Sequence, residues 1–131
     1  MFGKFQKSHL RIEVEAPASV IRDSLLHTSK LRQWLLPQSF SPGIPEKLHS
    51  GLTFTTSIGI VSVEHKVEIA NDNCLRLILS KAIDGYHEWY WGEGWVQSRL
   101  EGISMLPLSL GQTMSLLRFR QFVSTQPKVN T

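Results

Sequence analysis

The chain has 131 residues, a formal net charge of +3 and 41% hydrophobic residues, enough apolar length to bury a core without disulfides or metals. Lysines and arginines are scattered among acids rather than gathered in a basic run, so the charge pattern does not point to nucleic acid. A lone cysteine, Cys74, excludes an internal disulfide and fits a reducing compartment.

Ser8 to Ala16 alternates, with Leu10, Ile12, Val14 and Ala16 against His9, Arg11, Glu13 and Glu15, which predicts a strand with one face in water. Pro17 stands where a first helical turn accepts it, and Val20, Ile21, Ser24, Leu25 and Thr28 follow at helical spacing. A second short helix, Lys30 to Leu36, carries Trp34 and ends at Pro37. With three prolines and a glycine, Pro37 to Glu46 predicts an irregular loop.

About five strands are expected between Leu48 and Leu106. Their registers follow from keeping apolar faces together, since a one-residue slip turns a whole face over. A two-residue Ile58-Gly59 turn sets Leu52, Phe54 and Thr56 against Val61, Val63 and His65. A three-residue Asn71-Asp72-Asn73 turn sets Val67 and Ile69 against Leu75 and Leu77. The next turn matters most. A two-residue Asp84-Gly85 turn would face Tyr86, Glu88 and Tyr90 inward; a three-residue loop Ile83-Asp84-Gly85, with Gly85 left-handed, faces His87, Trp89 and Trp91 inward. Burying Glu88 without a partner would cost several kcal/mol, which favours the second. A two-residue Glu93-Gly94 turn then places Val96, Ser98, Leu100 and Gly102 on the inner face and sets Glu88 opposite Arg99 on the outer one.

The last element is Ser109 to Ser124. Leu110, Met114 and Leu117, with Leu116, Phe119, Phe122 and Val123, make a wide apolar face at helical spacing. Ser109 and Gln112 are placed to form a capping box at its start. Gln126 to Thr131 reads as a loose tail. No repeat or second domain is visible, so residues 1–131 are expected to form one domain. Met1 to Lys7 has no apolar signal-type stretch, and Ile103 to Leu117 is too short and interrupted to span a bilayer. The expectation is a soluble, cytoplasmic protein without stable membrane insertion.

This order of elements, together with Ile12-Glu13-Val14-Glu15-Ala16-Pro17-Ala18-Ser19-Val20, Leu31 to Trp34, Gly51-Leu52-Thr53-Phe54 and the C-terminal amphipathic helix, resembles the START-like superfamily, the birch-pollen-allergen, polyketide cyclase and lipid-transport group. The resemblance covers nearly the whole chain. It implies an α+β helix-grip fold, a curved antiparallel sheet wrapped around the C-terminal helix with two short helices after the first strand. It also implies a cavity between sheet and helix for apolar or amphipathic molecules. Members of the superfamily include carriers, cyclases, hydrolases and interaction modules. This chain departs from the pattern in its short last helix and in having only Ile58-Gly59 where the plant allergen branch has a glycine-rich loop.

His65 interrupts the apolar face of Val61, Val63, Val67 and Ile69, and His87 shares the inferred inner face. Buried imidazoles could act as acid, base or ligand anchor near neutral pH; a histidine bonded to a backbone carbonyl or water is the plainer alternative. Two histidines without a third ligand make an incomplete zinc site, so no metal or cofactor is expected. Trp34, Trp89 and Trp91 suit a pocket wall or a simple core, and Trp95 should face outward. Glu88, Arg99, Glu101, Arg118 and Arg120 read as solvated. No nucleophile triad, phosphate loop or paired-carboxylate motif is present.

The expected cavity lining is Trp34, Phe54, Val63, His65, Leu77, His87, Trp89, Trp91, Met114 and Leu117, with a hydrophobic small molecule or lipid as partner. The alternatives are an enzyme of the cyclase, aromatase or hydrolase kind using His65 or His87, and a protein-interaction module presenting Trp95, Tyr90 and Ile103 or the last helix.

Overall fold

The computed structural model describes residues 3–35 and 39–127. Strand β1 (Lys4–Glu13) leads into α1 (Ala18–Leu26) and α2 (Thr28–Trp34), followed by a short β2 (Ser39–Phe40). Five strands follow: β3 (Thr53–Ile58), β4 (Val61–Ala70), β5 (Cys74–Lys81), β6 (Ile83–Gly92) and β7 (Trp95–Ser104); α3 (Leu108–Ser124) closes the chain. All seven strands form one antiparallel, curved sheet in the order β1-β7-β6-β5-β4-β3-β2. The first strand therefore pairs with the last, Ser8 opposite Leu100 and Ile12 opposite Val96. The fold is α+β, with a helix-grip arrangement of sheet and C-terminal helix.

The expected elements are present, with shifted ends. β1 starts at Lys4, four residues before the expected Ser8, and Val14 and Ala16 lie beyond its end but stay buried. The expected irregular loop contains β2, whose Ser39 and Phe40 pair with Ser57 and Thr56. Leu36 and Pro37, the expected end of the second helix, lie outside the described residues. So do residues 128–131 of the expected tail, whereas Gln126 accepts a hydrogen bond from Lys30 at 3.1 Å.

Four hairpins set the sheet faces. β6 and β7 join through Glu93-Gly94 as expected, with Gly92 opposite Trp95 and Glu88 opposite Arg99. Gly94 has a φ of +76°, the left-handed conformation such a tight turn requires. Between β3 and β4 the turn is Gly59-Ile60, one residue later than expected, so Phe54 faces His65 and Thr56 faces Val63. That shift moves partners by two and leaves the faces unchanged. Between β5 and β6 the chain turns at Ala82, with Lys81 rather than Gly85 left-handed at φ +73°. Leu77 lies opposite His87 and Leu75 opposite Trp89. The displacement from the expected register is an even number of residues, so His87, Trp89 and Trp91 still share the inner face. Gly85 instead permits a close approach of two strands. It lies against Gly102, and a Cβ there would fall 1.9 Å from the Glu101 carbonyl oxygen.

Two expectations about the sheet faces fail. A bulge in β4 between Val67 and Ile69 pairs Ile69 with Arg76 and turns Ile69 outward. Glu88 is on the outer face but is only 7% exposed. Its charge is met by Arg76 at 2.9 Å and Arg99 at 4.0 Å, so it is a buried paired carboxylate rather than a solvated one.

The core lies between the inner sheet face and the helices. Ile21 and Leu25 of α1, Leu31 and Trp34 of α2, Val96 and Leu100 of β7, and Leu116, Phe119 and Val123 of α3 are all buried. α3 lies against β1, β7 and α2. Its start is fixed from β1: Leu108 donates its backbone N–H to Gln6 Oε1 at 3.0 Å, while Gln6 Nε2 donates to the Leu106 carbonyl at 2.7 Å. The expected Ser109–Gln112 capping box does not form, since the helix begins at Leu108 and Gln112 turns into the core. Arg118 Nε, far from free, donates to the Trp34 carbonyl at 2.9 Å, at the end of α2 where a cation complements the helix dipole. Among the described residues no helix is long and apolar enough to cross a membrane.

Gly111 lies in the first turns of α3, and an added Cβ meets nothing within 4 Å. Gly111→Ala should therefore stabilise the fold by about 0.5–1 kcal/mol, because alanine loses less backbone freedom in a helix. A rise in the urea midpoint checks it.

Candidate functional site

A cavity of about 230 Å³ opens beneath the first half of α3. Its floor is the inner face of the sheet: Phe54 and Thr56 from β3, Val63 and His65 from β4, Leu75, Leu77 and Leu79 from β5, His87 and Trp89 from β6. Leu31 and Trp34 of α2 close one side, and Leu108, Gln112 and Ser115 of α3 form the roof. The exposed members of the lining, Ile58, Val61, Pro107 and Gly111, mark a mouth between the β3–β4 hairpin and the start of α3. α3 packs most closely on β1 and β7, and the cavity lies to its side over β3, β4 and β5.

The polar atoms of this cavity are few and specifically placed. His65 Nε2 lies 2.9 Å from Thr56 Oγ1, and its ring stacks on Phe54 with centroids 4.8 Å apart. Its Nδ1 is sealed from solvent without a hydrogen-bond partner. His87 Nε2 lies 2.7 Å from Ser98 Oγ, and its ring leans on Trp89 with centroids 4.7 Å apart. Gln112, projecting from α3 into the core, donates from Nε2 to Ser98 Oγ, the Ser98 carbonyl and the Ser8 carbonyl, each at 3.0 Å. Gln112 Oε1 accepts from the Ser8 hydroxyl at 2.5 Å. Ser98 Oγ thus joins Gln112 on α3 to His87 on β6 through one hydroxyl.

Burial sets the charge of both rings. Removal from water disfavours the imidazolium, lowering the pKa of His65 from 6.5 to about 4. His87 is lowered to about 3, first by the same desolvation and then by repulsion from a charged His65. Both are neutral hydrogen-bonding groups at pH 7. Among the described residues no Asp, Glu, Lys or Arg lines the cavity.

No protein-family model matches the chain, and no curated protein matches it either. Solved structures match over almost its full length. Protein CV1439 from Chromobacterium violaceum has a TM-score of 0.71 at 15% identity, covering 92% of this chain and 99% of that one. The Aha1 protein from Colwellia psychrerythraea, solved in solution as a dimer, has a TM-score of 0.69 at 13% identity over 92% of this chain and 97% of that one. DynU16, from the dynemicin biosynthetic locus, has a TM-score of 0.69 at 13% identity; the match spans 91% of this chain but only 47% of DynU16. The shared feature is the fold: a curved antiparallel sheet with a C-terminal helix.

Of the residues expected in the lining, the helix-grip arrangement brings together Trp34, Phe54, Val63, His65, Leu77, His87 and Trp89. Trp91 is buried on the same sheet face but lies beyond Trp89 toward the Glu93-Gly94 turn, outside the cavity. Met114 and Leu117 are 55% and 46% exposed and do not reach the lining. The α3 face turned to the sheet is Leu108, Gln112, Leu116, Phe119 and Val123, so Leu110, Met114 and Leu117 form a second apolar stripe facing out. Gln112 is the polar member of the buried stripe, and pairing it with Ser109 as a cap obscures that stripe's helical period. Trp95 is half-buried under the Arg11 guanidinium, 4.1 Å from the ring centre. The Ser8–Gln112–Ser98–His87 chain has almost no local signature; only the inward Ser98 hints that a polar partner is needed there.

Proposed function

We propose that the chain is a START-like binding protein that holds a small apolar molecule in the cavity beneath α3. The observation that carries this reading is an apolar cavity lined by His65, a neutral ring whose Nδ1 is buried and unpartnered. Buried polar atoms in proteins are nearly always hydrogen-bonded, so an orphan on a ring that lines a cavity is a natural anchor for a ligand. An apolar cavity of roughly 150 Å³ takes up benzene. The present one, at about 230 Å³, fits a fused-ring or short-chain molecule, or one end of a longer lipid reaching through the mouth. Trp34, Trp89 and Phe54 offer flat apolar surface for such a guest.

An enzyme of the cyclase or hydrolase kind would need His65 or His87 to exchange protons near neutral pH. Efficient proton carriers have a pKa near the working pH, and burial takes both rings well below it. This favours binding over turnover.

Native mass spectrometry of the protein as purified, followed by solvent extraction, tests the reading. A bound small molecule, or uptake of added 2-naphthol, is the expected result. Ser115, half-buried on the roof, permits a control. Ser115→Trp should fill the space beneath α3 and reduce 2-naphthol uptake at least about tenfold, while unfolding within roughly 1–3 kcal/mol of the parent. Equal uptake by both forms would place the guest elsewhere.

A further inference from the structure

Any guest must replace the water it loses on entry with contacts from the lining. Among the described residues that lining has no cationic side chain, and at the start of α3 the Leu108 N–H is already taken by Gln6. A carboxylate or phosphate placed there would be a buried charge without a counter-ion, at large desolvation cost. The two histidines do not supply the missing charge. Each is desolvated, and protonation of either opposes protonation of the other. What the site presents instead is neutral hydrogen-bonding capacity: His65 Nδ1 is buried and unpaired, and the neutral His87 ring is tied to the Ser98 hydroxyl through Nε2. A hydroxyl group both donates and accepts, so it satisfies His65 Nδ1 in whichever tautomer Thr56 imposes on that ring.

We propose that this cavity selects neutral, hydroxyl-bearing ring compounds and rejects carboxylates of the same shape, with the hydrogen bond to His65 Nδ1 as the selecting contact. The inference rests on the cavity being the binding site. Fatty acids and other anionic amphiphiles are excluded from its interior, and phenol-like or alcohol-bearing rings are its guests.

Isothermal titration calorimetry on the full chain at pH 7 with 2-naphthol, naphthalene and 2-naphthoate tests this directly. The three share one ring system and differ only at the polar substituent. 2-Naphthol should bind most tightly. Naphthalene should be weaker by about tenfold, the worth of one hydrogen bond to a buried partner. 2-Naphthoate should be weaker by at least about a hundredfold. In His65→Phe, which keeps the ring stacked on Phe54 and removes both nitrogens, 2-naphthol and naphthalene should become equal. If 2-naphthoate binds within tenfold of 2-naphthol, the selection is wrong while the cavity remains a binding site. If naphthalene equals 2-naphthol in the parent protein, His65 is not the selecting contact. Failure of all three to bind overturns the cavity reading itself, and the selection with it.

Discussion

Acidification from pH 6.5 to about 4.5 should remove on the order of 5 kcal/mol of stability, well before most carboxylates are protonated. The cause is the pair of cavity histidines. Unfolded, each takes up a proton below its ordinary pKa of 6.5; folded, His65 resists until about pH 4 and His87 until about pH 3. Over this window the unfolded state binds more protons than the folded one, so stability falls as pH falls, by roughly 1.4 kcal/mol per pH unit for each histidine. The loss ends only when the folded-state rings themselves titrate. No other ionisable side chain lines the cavity among the described residues. Glu46 and Glu101, held below the usual carboxylate range by hydrogen bonds from Ser29 and Tyr86, add their losses only at lower pH. Since small domains have total stabilities of about 5–15 kcal/mol, that loss is about a third or more of the margin. Urea unfolding at pH 7, 6 and 5 measures the slope. In His65→Gln with His87→Gln the slope should nearly vanish; an unchanged slope would mean that the two rings are solvated in the fold.

Phe119→Ala should cost about 3–5 kcal/mol, the range for a large aromatic deleted from a tight core. Phe119 is fully buried on α3 and packs edge-on against Trp34, with ring centroids 5.0 Å apart, and obliquely against Trp89 at 6.0 Å. Trp34 in turn meets Trp89 at 5.8 Å and donates from Nε1 to the Ser24 carbonyl at 2.9 Å. This aromatic cluster joins α3, α2, α1 and β6 beside the cavity. Losing its central ring removes the hydrophobic contribution and two aromatic contacts worth about 0.5–1.5 kcal/mol each. It also leaves a void that neighbours held by hydrogen bonds cannot fill. Chemical unfolding monitored by circular dichroism reads the loss, and a change below about 1 kcal/mol would show that α3 is not anchored through this residue.

Much of the architecture is legible in the sequence because strand faces are a matter of parity. The β5–β6 turn lies away from its expected place and Gly85 is not left-handed, yet His87, Trp89 and Trp91 fall on the expected face, since the difference in register is even. The β3–β4 turn shows the same tolerance. Parity fails where the ladder itself is irregular: the β4 bulge, which no local residue signals, turns Ile69 outward. α3 is harder to read. Its sequence offers two apolar stripes, and Leu110, Met114 and Leu117 are as hydrophobic as the stripe that is buried. The deciding residue is Gln112, whose partners on β1 and β7 are remote in sequence. Thus the sheet side of the cavity follows from alternation, while its roof depends on long-range hydrogen bonds. Glu88 makes the same point on the outer face, where Arg76 on the neighbouring strand β5 permits a burial that the local sequence argues against.

Methyl and imidazole nuclear magnetic resonance during a 2-naphthol titration tests the binding site most directly. Shifts concentrated at Leu77, Leu79 and Leu100, with the His65 and His87 rings, are expected, while the outward Met114 and Leu117 stay unmoved. Perturbations confined to Leu110, Met114 and Leu117, with His65 and His87 unchanged, would contradict a cavity site and move the binding surface to the outer stripe of α3.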